Sequence, residues 1–130
     1  RVRRHQAERG PGWAAFEVPL ALPEALAEHG RPDRIVLVDC LTLWVSNLLL
    51  ELEDPAAVEG RIAALVRAVE ACRGPVILVS NEVGFGVVPE SRLGRQFRDL
   101  AGIANQSVAA CAQEVILTVA GIPMVIKACA

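Results

Sequence analysis

Two short apolar runs decide the fold of this sequence: Arg34-Ile-Val-Leu-Val-Asp39, and Val76-Ile-Leu-Val79, which Ser80-Asn-Glu82 follows directly. Both are rich in β-branched residues and lack polar alternation, which is typical of buried strands in a parallel sheet. Between and after them, apolar residues recur every three or four positions and predict helices. Strands that alternate with helices predict βαβ crossovers, so we expect an α/β protein with a mainly parallel sheet and helices on both faces.

The same patterns predict the remaining elements. Helical spacing covers four segments: 23–29, about 41–53, 55 to the Gly74-Pro75 break, and about 91–113. Two further strands, 115–119 and 124–126, flank Gly121-Ile-Pro123 and predict a C-terminal antiparallel hairpin. Residues 1–21 carry glycines and prolines, so we expect a loop or a short mobile segment there.

Composition and charge limit the function. The chain has 130 residues, of which 53% are apolar, and this suits one domain with one core spanning residues 1–130. Thirteen basic and fifteen acidic residues give a net charge of -2, so we exclude a general nucleic-acid binder. The longest apolar stretches, 41–50 and 115–126, fall short of the roughly 20 residues of a membrane-spanning helix, so we expect none.

The cysteines and the first residues indicate the compartment. Cys40, Cys72, Cys111 and Cys129 lie far apart, without the spacing of a zinc site or a disulfide framework, so we interpret them as small buried apolar residues. The opening Arg1-Val-Arg-Arg4 has no apolar leader behind it, so we expect a cytoplasmic protein. Because the chain opens with arginine and not methionine, we also expect further residues upstream.

Polar residues follow both buried strands, at the edge where open α/β sheets bind ligands. Asp39 ends the first run, where nucleotide-hydrolysing folds hold Mg²⁺, usually through water; alternatively, its carboxylate caps the next helix. The phosphate-cradling motif Gly-x-x-x-x-Gly-Lys-Ser/Thr is absent, and Lys127 is the only lysine. Either this protein transfers no phosphate, or that loop belongs to the upstream part.

His5 and a set of arginines are further candidates. His5 lies in an arginine-rich opening, where cationic neighbours favour the neutral imidazole and could hold a phosphate that the ring attacks. The alternative is a solvated surface histidine. The last predicted helix carries three arginines that either face solvent or bind phosphate or partner carboxylates: Arg92, Arg95 and Arg98.

Several blocks of the chain together resemble one enzyme family. The most specific block is Val79-Ser-Asn-Glu-Val-Gly-Phe-Gly-Val-Val-Pro-Glu90, which continues through Arg95-Gln-Phe-Arg-Asp99, Asn105-Gln106 and Gly121-Ile-Pro123. Leu37-Val-Asp-Cys-Leu-Thr-Leu-Trp-Val-Ser-Asn47 and the opening around His5 also fit. Over nearly its whole length, the sequence is similar to the bifunctional adenosylcobinamide kinases and adenosylcobinamide-phosphate guanylyltransferases of cobalamin synthesis.

The resemblance implies a P-loop NTPase fold, a homotrimer and two reactions. First, ATP or GTP phosphorylates the aminopropanol hydroxyl of adenosylcobinamide. GTP then guanylylates a histidine, and adenosylcobinamide phosphate takes the GMP to give adenosylcobinamide-GDP. By position, the histidine corresponds to His5 and Mg²⁺ lies beside Asp39, reached through water. The nucleotide contacts correspond to Gln6, Ala7, Glu8, Arg9, Glu17 and Asp39.

Two departures from the family pattern limit what the resemblance implies. Ala15 stands where the family usually has threonine, and the N-terminal P-loop has no counterpart, so we expect this chain alone to be inactive. For the rest of the signature, structural and substrate-binding roles stay open: Asn81, Glu82, Arg95, Arg98 and Asp99. The alternatives are a P-loop kinase of another small alcohol, and a non-catalytic oligomeric subunit without a P-loop.

Overall fold

Helices and strands alternate in the computed structural model, which describes Arg4 and residues 7–129. The order is α1 Leu22–His29, β1 Val36–Asp39, α2 Leu41–Leu52, α3 Pro55–Ala71, β2 Val76–Val79, α4 Arg92–Cys111, β3 Val115–Val119 and β4 Ile122–Lys127. A 3₁₀ turn, Val83–Phe85, lies between β2 and α4. The α/β class predicted from the sequence is confirmed, and the predicted helices are present with ends shifted by one or two residues.

The first two strands form a parallel pair. Val36 lies opposite Val76, and Asp39 lies opposite Val79. Helices α2 and α3 make the connection between them, as the predicted βαβ crossover requires. This register brings the carboxyl ends of both strands to the same edge of the sheet.

Helices cover one face of this pair. The residues on that face pack against the hydrophobic core: Val36, Val38, Val76 and Leu78. The residues that alternate with them are exposed: Ile35, Leu37, Ile77 and Val79. Because successive side chains of a strand point to opposite faces, an apolar run does not show which face neighbouring elements cover. The expectation of helices on both faces is wrong for the part of the chain that the structure describes.

The core forms where the four helices meet the covered face of the sheet. Its most deeply buried residues, each at most 2% exposed, are Leu26, Leu41, Val45, Leu48, Val58, Ile62, Leu65, Leu100 and Ala104. Their spacing of three or four residues along each helix is the predicted amphipathic pattern. Since burying an aliphatic side chain of this size stabilises a fold by roughly 1.5–3 kcal/mol, this cluster holds the helices on the sheet.

Side chains fix the starts of the two longest helices. Asp54 begins α3 by accepting a hydrogen bond from the Ala56 N–H at 3.1 Å. Ser91 begins α4 by accepting from the Gly94 N–H at 3.0 Å. Such caps satisfy N–H groups that have no partner within the helix, which explains why the sequence predicted these starts well.

The segment before α1 differs in part from the predicted loop. Ala7 and Glu8 are helical, and Arg4 donates to Glu8 at 2.8 Å, the spacing of an ion pair across one helical turn. Gly10, with φ of 71°, follows this turn in the left-handed conformation that glycine adopts readily. The prediction of a loop is therefore wrong at this turn, whereas residues 13–18 have no regular structure.

Two side chains of α2 hold the end of this segment. The Trp44 indole N–H donates to the carbonyl of Leu20 at 2.9 Å, and Asn47 donates to the carbonyl of Pro19 at 3.2 Å. The ring of Phe16 also stacks on His29 at the end of α1, with centroids 4.3 Å apart. The chain just after Glu17 is thus fixed against the helix that follows Asp39.

The C-terminal strands form the predicted antiparallel hairpin. Ala120 and Gly121, with φ of 51° and 74°, make the two-residue turn, which needs positive φ at both positions. Strand β4 begins earlier than predicted and includes Pro123, which an edge strand tolerates. Lys127 donates to the carbonyls of Ala109 and Ala110 and so joins the hairpin to the end of α4.

The cysteines agree only in part with the prediction that they are buried. All four cysteines are free; Cys40, Cys72 and Cys111 are half-buried and Cys129 is exposed, so their predicted burial holds only in part. Among the helices that the structure describes, none has both the length and the apolar character to span a membrane.

Candidate functional site

Asp39 lies at the end of β1 with its carboxylate exposed to solvent. The next peptide bond, Asp39-Cys40, is cis. The capping residue of α2 is Cys40, whose sulfur accepts from the Leu43 N–H at 3.5 Å. The alternative in which Asp39 caps this helix is therefore wrong. Within Arg4 and residues 7–129, no hydrogen bond or ion pair engages the Asp39 side chain, so its oxygens are free to bind a ligand.

A network of polar side chains joins the ends of both strands to α2 and α4. Thr42 donates to the Asn81 side-chain oxygen at 3.0 Å, and its hydroxyl accepts from the Asn81 N–H at 2.9 Å. Ser80 donates to the Asn105 oxygen at 2.5 Å, and Asn105 donates to the Asn81 carbonyl at 3.0 Å. We call Thr42, Ser80, Asn81 and Asn105 the strand-end network. It fixes the backbone after β2 in the position where Glu82 begins the loop.

Two arginines of α4 hold the loop between β2 and α4. Arg95 donates to the carbonyls of Pro89 and Glu90 at 3.2 and 2.6 Å, and Arg98 donates to the carbonyl of Gly84 at 2.7 Å. Loop carbonyls that would otherwise lack partners are thereby satisfied. For Asn81, Arg95 and Arg98, the structure therefore provides the structural role that the sequence left open.

The loop and α4 border a groove of about 490 Å³ that is open to solvent. One wall is the start of the loop and the other is one side of α4. We call it the α4 groove and define it by its lining residues: Glu82, Val83, Gly84, Arg98, Asp99, Gly102, Ile103 and Gln106. It begins at the residue after Asn81, so the strand-end network separates it from the edge that carries Asp39.

The other predicted site residues lie on the N-terminal segment. Ala7, Glu8, Arg9 and Glu17 are exposed, and Glu8 pairs with Arg4. His5 and Gln6 lie outside the described residues. The structure thus places Asp39 at the strand ends, and α2, the helix that follows Asp39, holds the chain just after Glu17.

Asp39 fits a Mg²⁺ ion that is bound mainly through water. Its carboxylate is an exposed hard oxygen ligand, of the type that Mg²⁺ prefers. Within the described part of the chain, no group of three or more acidic, histidine or cysteine side chains is arranged to hold a metal. Mg²⁺ commonly keeps several waters and uses one or two carboxylates together with substrate phosphates, so a single carboxylate suffices.

The groups with shifted pKa values lie away from the strand ends. A hydrogen bond from Arg61 lowers the pKa of Glu24. The Arg61 Nη2 atom lies 2.7 Å from the Glu24 Oε2 atom, and this ion pair joins α1 to α3. Burial raises the pKa of the Cys111 thiol, which keeps it protonated and unreactive at neutral pH. Neither group bears on the chemistry at Asp39.

Sequence reasoning missed the strand-end network. Thr42 and Asn105 belong to separate parts of the family signature, and nothing in the sequence linked two residues so far apart in the chain. The available signal was the pair of polar strand ends. Because neighbouring parallel strands end at one edge, polar residues that follow both of them are expected to meet.

The fold and this edge define an α/β protein with a free carboxylate at the polar ends of two parallel strands. Comparison with known protein families identifies its family. The family model described as cobinamide kinase / cobinamide phosphate guanyltransferase matches residues 1–126. The chain belongs to this family, and it is therefore a kinase and nucleotidyltransferase.

Curated relatives agree with this assignment. One is the "bifunctional adenosylcobalamin biosynthesis protein CobP" of Pseudomonas aeruginosa, 44% identical over 127 residues, which cover 98% of this chain and 73% of the relative. The corresponding CobU proteins of Escherichia coli and Salmonella typhimurium are each 40% identical over 139 residues, covering 98% of this chain and 77% of each relative.

The strand-end network generates a prediction for Asn105→Ala. The change removes the contacts to Ser80, Asn81 and Glu82, so we expect the free energy of unfolding to fall by about 1 kcal/mol. Amide hydrogen exchange over residues 80–86 should become about fivefold faster, and mass spectrometry measures this directly.

Ser107→Ala is the control, because Ser107 lies on the same helix and has no hydrogen bond to the loop. Equal exchange rates in the two variants would show that Asn105 does not hold this loop.

Proposed function

We propose that this protein phosphorylates adenosylcobinamide and then transfers GMP from GTP to the product through His5. The match to the family over residues 1–126 carries this proposal, because the matched range contains both His5 and Asp39. The names of the relatives support it, since each is a bifunctional protein of adenosylcobalamin biosynthesis. Of the three functions that the sequence left open, this one agrees with the family.

The guanylyl transfer proceeds in two displacements. The neutral imidazole of His5 attacks the α-phosphorus of GTP; a P–N bond forms, and the bond to pyrophosphate breaks as pyrophosphate leaves. An oxygen of adenosylcobinamide phosphate then attacks the same phosphorus, the P–N bond breaks, and the histidine is released with formation of adenosylcobinamide-GDP. The covalent step is useful because the corrinoid phosphate oxygen is a weak nucleophile and the P–N bond is labile.

Asp39 and the N-terminal segment bind the nucleotide in this proposal. Asp39 would hold Mg²⁺ through water, and the metal would supply positive charge beside the triphosphate. The other contacts come from residues before α1: Gln6, Ala7, Glu8, Arg9 and Glu17. Support comes from the exposed Asp39 carboxylate and from the α2 side chains that hold the chain just after Glu17.

The proposed function also implies a fold type and a cellular compartment. We propose that residues 1–130 belong to a P-loop NTPase domain, supported by a parallel strand pair whose first strand ends in an aspartate. ATP or GTP serves as the phosphoryl donor. We assign the reaction to the cytoplasm, where these nucleotides are available.

The nucleophile can be tested with the chain's two histidines. The full-length protein, incubated with α-labelled GTP and Mg²⁺, should acquire label that is stable to alkali and labile to acid, the behaviour of a P–N bond. We expect His5→Asn to abolish this label and His29→Asn to keep it, because His29 stacks on Phe16 at the end of α1. Label that persists in His5→Asn would assign the nucleophile to another residue.

The role of Asp39 can be tested by Asp39→Asn. Removing one charge on the metal side should lower Mg²⁺-dependent guanylyl transfer by ~2 kcal/mol or more, or roughly 30-fold in rate. Steady-state turnover measures the effect, with Asp33→Asn as the control because Asp33 is exposed in the turn before β1. Turnover that equals the wild-type rate would remove Asp39 from the nucleotide site.

We further propose that the protein assembles as a homotrimer. Apolar side chains exposed on both faces of the hairpin support an interface: Ile116, Val119, Ile122, Met124, Val125 and Ile126. Light scattering on the purified protein should give three times the monomer mass. Val125→Glu should lower that mass, because it places a charge within this surface. A wild-type mass equal to that of one chain would contradict the trimer.

A further inference from the structure

We infer that the α4 groove binds the amide-bearing rim of the corrinoid substrate. This inference rests on the proposed function, which supplies a cobinamide as substrate, and it assigns a binding site for the part that does not react. A corrin ring carries primary amide side chains around its edge. The groove offers a place for several of them beside the strand ends.

The groove begins directly after the end of the strand-end network. Glu82 begins the groove and directly follows Asn81, which Thr42 joins to the start of α2 just after Asp39. The strand-end network therefore connects the groove to the edge that carries Asp39. At about 490 Å³ and open to solvent, the groove suits one edge of a large ligand.

Hydrogen bonds fix the groove walls without any ligand. Arg98 crosses from α4 to the Gly84 carbonyl at 2.7 Å, and Asn105 holds the Asn81 carbonyl at 3.0 Å. A site whose shape already exists binds with less loss of conformational entropy than one that must be ordered.

Gly102 lies inside α4 on the groove wall. Glycine is less favourable than alanine within a helix. A Cβ at Gly102 would meet nothing within 4 Å, so packing inside the chain does not require glycine there. Gly94 on the same helix differs, because a Cβ there would lie 2.8 Å from both Pro89 and Ser91. Gly102 thus keeps this part of the groove wall free of a side chain, and a larger residue there would project into the groove.

The polar side chains that line the groove can hydrogen-bond to amide groups. Asp99 and Gln106 are exposed and have no hydrogen-bond partner among the described residues, and Glu82 has only a 3.4 Å contact with Asn105. Carboxylates accept from amide N–H groups, while Gln106 both donates and accepts. Two carboxylates against one guanidinium make the groove unfavourable for phosphate, whereas amide N–H groups find acceptors there. Val83 and Ile103 add apolar contacts for the ring edge.

The test measures cobinamide binding and histidine labelling separately on the full-length protein. Equilibrium dialysis with dicyanocobinamide, followed by its visible absorption, gives the Kd without nucleotide. We expect Gly102→Leu to raise this Kd by about tenfold or more, because the side chain fills the groove. Gly60→Leu is the matched control: Gly60 also lies inside a helix, and a Cβ there also meets nothing within 4 Å.

A second variant controls for the case in which Gly102→Leu fails to fold. Asp99→Asn preserves shape while removing the charge, and we expect it to raise the Kd by roughly tenfold, with Asp33→Asn unchanged. Both groove variants should still acquire label from α-labelled GTP, since that step needs no corrinoid.

The outcomes separate this inference from the proposed function. A wild-type Kd in both groove variants overturns the groove assignment, even when labelling of His5 succeeds. Loss of the oligomer in Gly102→Leu would also overturn it, because the groove would then be a subunit contact. Failure of the wild-type protein to label would instead contradict the guanylyl-histidine, and the dialysis result would still decide on the groove.

Discussion

The parallel pairing of β1 with β2 is the constraint on which the rest of the site depends. With Asp39 opposite Val79, both strands end at one edge, and the polar residues after each of them meet. Thr42 then engages Asn81 with two hydrogen bonds across almost forty positions of sequence. A shift of one residue in this register would turn the alternating side chains to the opposite face and separate Thr42 from Asn81.

Polar residues near this edge divide into two groups. Asn81, Arg95, Arg98 and Asn105 use hydrogen bonds to satisfy backbone groups or fix the loop, so the positive charge on α4 serves the structure first. Asp39, Asp99 and Gln106 have no such partner in the part of the chain described. Charge alone would have selected the arginines as ligands. Counting hydrogen-bond partners selects the free carboxylates and the amide.

Two glycines of α4 also differ in whether contacts inside the chain require them. Gly94 is required because Pro89 and Ser91 leave no space for a Cβ, and this contact lets the loop close onto the start of α4. Gly102 meets no such neighbour. Two glycines eight residues apart on one helix thus have different explanations, and only the packed structure separates them.

The sequence by itself determined the elements and the family. Local rules sufficed for the helix starts at Asp54 and Ser91, since a capping side chain bonds within three residues, and for the hairpin turn at Ala120-Gly121. The motif block from Val79 to Glu90 identified the enzyme class that the family match then confirmed. Asp39 as a strand-end carboxylate was also predictable, because parallel strands expose their carboxyl ends at one edge.

Tertiary structure alone decided which apolar face of the β1–β2 pair is covered and which polar groups after the two strands are already engaged. The helical turn at Ala7 and Glu8 was missed because the glycines and prolines that predicted a loop all lie after it, from Gly10 onward. These features depend on contacts between residues distant in sequence or on small energy differences. Propensity and periodicity describe each segment on its own, so they contain no information about which distant partner a side chain meets.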